Sequence, residues 1–174
     1  MKYLKTYNQI NEGLRDMMKP KSDEDILRDT KDLSNNKKIE LFIKYGLDDK
    51  YFPRNSDGWC VYEGDLDINY IISDYFLSIF RFPNKFIVNG GLSAPLSGLN
   101  KLPDDLVVNG YLDCSFNLLT ELPKGLKVQY EFLLTDNMVK KLPDDLVVGG
   151  TLYITNNKIP PGTKKPVGVN EMID

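Results

Sequence analysis

KLPDDLVV occupies Lys101 to Val108, and the same residues return at Lys141 to Val148. Midway between the copies stands LPKGLKV, Leu122 to Val128, and FPNKFIV, Phe82 to Val88, precedes the first copy by the same step. The period is therefore 20 residues. Four units laid under one another need no insertion or deletion and give the consensus LPxxLxVxGxLxLxxNxL. Position one is Phe82, Leu102, Leu122 and Leu142, position five is Phe86, Leu106, Leu126 and Leu146, and position seven is Val88, Val108, Val128 and Val148. Positions eleven and thirteen read Leu92 and Ala94, Leu112 and Cys114, Phe132 and Leu134, Leu152 and Ile154. A polar position sixteen follows at Ser97, Asn117, Asn137 and Asn157, and then an apolar eighteenth at Leu99, Leu119, Val139 and Ile159.

A fixed period of this length is the mark of a solenoid, whose units cannot bury an apolar face alone and do so against their neighbours. Each coil is expected to be one short strand and a return loop with the apolar positions turned inward. An asparagine after the strand can bond backbone groups of adjacent coils as a ladder, and the proline at position two fixes φ where no ladder bond is needed. Unrelated hairpins would not keep a common phase across four units.

The stretch LPDDLVVNGYLDCSFNLLTELP resembles the 20-residue leucine-rich repeats of secreted effectors of bacterial pathogens and of many bacterial and phage proteins. The likeness runs from Phe82 to Gly162. It implies an α/β solenoid, a short leucine-rich repeat stack of about four to five coils with a helical N-terminal cap. YEGDLDIN, Tyr62 to Asn69, matches the unit core through Gly64, Leu66 and Ile68 but stands 26 residues before the next unit, as an irregular first coil. Tyr130 takes the place of Gly90, Gly110 and Gly150, and a local bulge is expected there. The pathogen effectors also carry a C-terminal ubiquitin ligase domain with a catalytic cysteine. Here the sequence ends about a dozen residues after its last coil and Cys114 fills an inward position, so that enzymatic half is not expected to carry over.

Ahead of the repeats, SDEDILRDTKDL offers Ser22 as an N-cap, acids in the first turn, and Ile26, Leu27 and Leu33 at helical spacing, which predicts a helix from Asp23 to Leu33. NNKKIELFIKYGL places Ile39, Phe42 and Ile43 on one helical face and closes on Gly46. The expected organisation is a targeting peptide or helix at 1–12, a helical cap at 13–58, the solenoid at 59–162 and a tail at 163–174 that closes the chain loosely.

An apolar content of 41% suffices for a core, while a net charge of −3 and a pI near 5.1 argue against a phosphate backbone as partner. Two cysteines, Cys60 and Cys114, do not make a disulfide framework and suit a reducing cytosol, here that of a host bacterium. No apolar run approaches the length of a membrane span. The sequence contains no histidine, which excludes a histidine-based triad, general base or metal site. DLDIN, Asp65 to Asn69, resembles the start of a calcium loop, but Tyr70 stands where glycine is required and Phe76 where the bidentate glutamate should be. No enzyme, cofactor, metal, nucleic acid or membrane role is expected, and the oligomeric state is open.

Outward positions of the strands would align in columns on a concave sheet face. By phase these are Ser93, Tyr111, Asp113, Ser115, Glu131, Leu133, Thr135, Thr151, Tyr153 and Thr155. Two tyrosines, an outward leucine and two acids without a lysine or arginine suit a protein-binding patch. Strands also favour tyrosine and threonine for their own sake.

The opening MKYLKTYNQINEG puts Tyr3, Leu4, Tyr7 and Ile10 on one face of a helix too short to stand alone in water. It resembles the targeting peptides of internal head proteins of T-even-type tailed phages, which a phage protease removes after a Leu or Ile, any residue and Glu, before a small residue. Ile10, Glu12 and Gly13 fit that pattern. The resemblance implies a phage-encoded protein-binding module packaged in the virion head. The alternative is a bacterial cytosolic adaptor or effector-type repeat protein with no virion role.

Overall fold

The computed structural model describes residues 22–68 and 81–174. The expected targeting peptide at 1–12 with Ile10, Glu12 and Gly13, the opening of the expected cap at 13–21, and Asn69 lie outside the described residues. Two compact units are distinguished, Met1–Asp32 and Leu33–Asp174.

In the first unit, helix α1 spans Asp23–Asp29, with Ser22 Oγ accepting from Asp25 N at 3.2 Å. The same serine donates to Asp25 Oδ2, and with Arg28 it holds the Asp25 carboxyl below the usual carboxylate range. The helix stops short of the expected Leu33. Thr30 directs both its N–H and its hydroxyl to Ile26 O, and Lys31 N turns to Arg28 O. A hydroxyl that competes for the last carbonyls is a local reason for the earlier end.

In the second unit, helix α2 spans Asn35–Tyr45, from Ser34 as N-cap to Gly46 at φ 65°. That left-handed turn is what a glycine makes without strain. Ile39, Phe42 and Ile43 are buried, and Phe42 meets Phe52 edge-on at 5.6 Å. The helix is tied to strand β1, Cys60–Tyr62, and the residue after it: Tyr62 Oη donates to Glu40 Oε1 at 2.9 Å, and Asn36 and Glu63 exchange two bonds. Arg54 links the connecting segment to the solenoid by donating to Gly58 O and Asn84 O and pairing with Asp49 at 2.6 Å.

The remainder is a parallel β-solenoid of about four turns at a spacing of about 20 residues. The first three regular coils each contribute two short strands and the fourth a single longer strand that serves both ladders, which corrects the expectation of one short strand per coil. The first ladder stacks β1, β3 (Phe86–Val88), β5 (Val107–Val108), β7 (Lys127–Val128) and the start of β9 (Val147–Tyr153). The second stacks β2 (Leu66–Asp67), β4 (Leu92–Ser93), β6 (Leu112–Asp113), β8 (Phe132–Leu133) and the end of β9. The valine position is as extended as the leucine positions, so its peptides pair too: Asn109 N reaches Val88 O, and Gln129 N reaches Val108 O. In the second ladder the bonds run the other way along the stack, from Leu112 N to Glu131 O and from Cys114 N to Leu133 O.

The pairing follows the repeat phase. Val88 pairs Val108, Val108 pairs Val128 and Val128 pairs Val148, while Leu92, Leu112, Phe132 and Leu152 form the other series. The irregular first coil pairs at the 26-residue offset, Tyr62 with Val88 and Leu66 with Leu92. Positions five, seven, eleven and thirteen are buried in every regular coil. The bulge expected at Tyr130 does not form. Its ring is exposed, its N–H bonds Gly110 O and its carbonyl accepts from Gly150 N, and β7 and β8 hold register on both sides.

The asparagine ladder is the polar spine. Asn117 Oδ1 accepts from Ser97 N and Leu99 N, while its amide donates to Ala94 O and Cys114 O. Asn137 and Asn157 repeat the arrangement one and two coils on. At the junction with the 26-residue coil, Ser97 holds the same position and donates its hydroxyl to Pro95 O.

The tail departs from the loose closing segment that the sequence predicts. Val169–Ile173 forms β10, parallel to β9, with Val169 opposite Val148 and Met172 opposite Leu152. Val169 is buried, and the register shifts once between Val169 and Glu171. A terminal coil with apolar positions facing outward along the stack would leave its edge bare, and β10 covers it.

Candidate protein-binding face

Each outward position of the second ladder is set by a buried neighbour in the same strand, because successive side chains of a strand point to opposite faces. The burial of Leu112, Cys114, Phe132, Leu134, Leu152 and Ile154 therefore fixes three columns. Tyr111, Glu131 and Thr151 form one; Ser93, Asp113, Leu133 and Tyr153 form the next, paired in that order. Ser115, Thr135 and Thr155 follow in the third.

The ten residues thus share one ladder but not one degree of access. Tyr111 and Glu131 are exposed; Ser93, Asp113, Leu133, Thr135, Thr151, Tyr153 and Thr155 are half-buried. Ser115 is buried, with its N–H held by Asp113 Oδ1 at 2.9 Å and its carbonyl accepting from Asn117. The ring of Tyr111 lies over Gly91, where an added Cβ would come to 2.3 Å of Cε1.

Sequence reading missed the row that β10 adds after β9. Strand β10 sets Glu171 opposite Thr151 and Ile173 opposite Tyr153, and Thr151 Oγ1 donates to Glu171 Oε2 at 3.0 Å. The second column therefore ends in an apolar run, Leu133, Tyr153 and Ile173. The signal was present as Val169 and Met172 in the valine and leucine positions, hidden by a one-residue shortening between them.

No family model, no curated protein and no solved structure matches this chain. What the arrangement can do therefore rests on its own chemistry. The ladder face offers aromatic and aliphatic contact area bordered by carboxylates, and none of its column residues is a lysine or arginine. Among the described residues no cluster of three or more histidine, cysteine, aspartate or glutamate side chains could hold a metal ion. An open cleft of about 400 Å³ on the return side is lined by Lys101, Asp104, Glu121, Pro123 and Lys124, with charges of both signs. Both cysteines are buried; burial pushes the Cys60 thiol up to about 12 and raises the Cys114 thiol as well.

Proposed function

We propose that the chain is a non-enzymatic, protein-binding repeat module of the leucine-rich type, capped at its N-terminal end by helix α2, and that it binds through the second-ladder face. The observation that carries this reading is the alignment of Tyr111, Asp113, Glu131 and Tyr153 in adjacent columns without a cation among them. Tyrosine provides rigid contact area with a polar tip, and a truncated interface tyrosine costs about 2 kcal/mol of binding. Affinity capture from infected-cell and host lysates tests it. The double variant Tyr111→Ala, Tyr153→Ala should lose the captured partner while keeping its thermal midpoint, and undiminished capture moves the contact to the return side, the helices or the tail.

We further propose a phage origin with packaging in the virion head, on the strength of Ile10, Glu12 and Gly13 in the opening segment. Cleavage between Glu12 and Gly13 should give a product beginning GLRDMMKP inside mature particles. Intact mass measurement on purified virions checks this. A full-length chain there, or none, favours the bacterial cytosolic adaptor.

A further inference from the structure

Leu96 and Phe116 hold position fifteen of successive coils, and both have left-handed backbone, at φ 53° and 57°. The next two coils place Asp136 and Asn156 there, at 55° and 59°. Short polar side chains tolerate this conformation far better than a leucine or a phenylalanine does. The two bulky side chains are also exposed, Leu96 at 77% and Phe116 at 55%, and Leu118 on the same corner is 54% exposed. Strain and bare apolar surface coincide, and the fold requires neither. The bonds that shape the corner, Leu96 N to Ser115 O and Phe116 N to Thr135 O, use backbone alone, and Asp136 N makes the same bond to Thr155 O.

This corner adjoins the ladder face. Asp113 lies three residues before Phe116 on one coil, and Glu131 stands outward on the next. Six rows, from β2 to β10, at about 4.8 Å make a track of roughly 24 Å, the length of about seven extended residues at about 3.3 Å each. A track so small suits a peptide segment better than a globular surface.

Resting on the reading of the ladder as a protein-binding face, we propose that corner and face together hold an extended cationic peptide. Its lysine or arginine side chains lie against Asp113 and Glu131, and one large apolar side chain sits on Leu96, Phe116 and Leu118. A strained, exposed residue kept where asparagine would fit is the expected mark of a contact site. A second copy of the chain is the poorer occupant, because a self-paired face would oppose its own carboxylates.

Fluorescence anisotropy with three labelled heptapeptides tests this on the full chain: alternating lysine and phenylalanine, lysine and serine, and glutamate and phenylalanine. The first should bind at least about tenfold more tightly than either other, and more weakly as salt rises. Glu131→Lys should weaken it by about tenfold or more. Phe116→Asn should weaken it by a similar factor while raising the thermal midpoint, since asparagine relieves the strain. The proposal is overturned by equal binding of the serine or glutamate peptide, by no binding of any, or by a lower midpoint in Phe116→Asn, which would assign the phenylalanine to the fold. If the peptides fail while the tyrosine-dependent capture stands, this inference alone falls; if capture fails too, the protein-binding reading falls with it.

Discussion

Tyr111 rests its ring on Gly91, one coil earlier, so closely that a Cβ at position 91 would lie 2.3 Å from Cε1. The obstacle is the side of a movable ring. At Gly110 the obstacle is backbone, because a Cβ there would come to 2.4 Å of Gly90 C and O. The two glycines should therefore behave differently. Gly110→Ala should cost about 3 kcal/mol, the upper end of overpacking, and Gly91→Ala under about 1 kcal/mol. Gly91→Ala should instead displace the Tyr111 ring, read as a change in tyrosine fluorescence quenching. Urea unfolding of both variants checks the pair, and equal losses would mean that the ring is as fixed as the backbone.

Leu112 is fully buried and its strand pairs with Leu92 on one side and Phe132 on the other. Leu112→Ala should cost about 2 to 5 kcal/mol from lost transfer energy and the cavity left behind. Against a typical total of about 5 to 15 kcal/mol that is severe. A loss near the surface-substitution scale of about half a kcal/mol would contradict the packing.

Asn137 accepts from Leu119 N and donates to Cys114 O, Leu134 O and Thr135 O. Asn137→Ala leaves the buried Leu119 N without its acceptor, while Cys114 O, Leu134 O and Thr135 O keep Asn117, Asn157 and Phe116 N as donors, so it should cost about 1 to 3 kcal/mol. Asn137→Asp keeps the acceptor but turns a carboxylate toward carbonyls. Its pKa should rise in the folded state, so its stability should recover as pH falls, and chemical unfolding at neutral and mildly acidic pH reads the difference.

Burial raises the Cys60 thiol to about 12, and burial followed by the bond to Glu40 raises the Tyr62 phenol to about 12. Both groups are neutral when protonated, and the folded state holds those protons more tightly than the unfolded chain. The stability they contribute is complete below their unfolded values, 9.0 and 10.0, and is lost as pH rises through about 12. Thermal midpoints should fall across that window, and Tyr62→Phe should flatten its upper part. At pH 8 neither Cys60 nor Cys114 should react rapidly with a thiol reagent until the chain is unfolded.

Deleting 169–174 removes β10 and uncovers the edge of β9 together with the neighbour of Val148. The truncated chain should unfold at a lower temperature and self-associate in size-exclusion chromatography, because a bare strand edge is a pairing template. A monomer of unchanged midpoint would show that β10 adds nothing.

The sequence by itself determined the repeat. Its phase named the inward positions five, seven, eleven and thirteen, the 26-residue offset of the first coil and the asparagine ladder, because burial in a solenoid recurs at the same step as the residues that satisfy it. It also placed the ten candidate side chains on one ladder. Only the tertiary structure decided that each coil has two ladders, that Tyr130 fits without a bulge and that Val169–Ile173 completes the stack. Those outcomes depend on backbone pairing between coils, which carries little side-chain signature. The left-handed turns at Leu96 and Phe116 were equally hidden, since the coil's geometry imposes them against the preference of both residues. Local preference and global shape disagree at that corner, and the bonds between coils prevail.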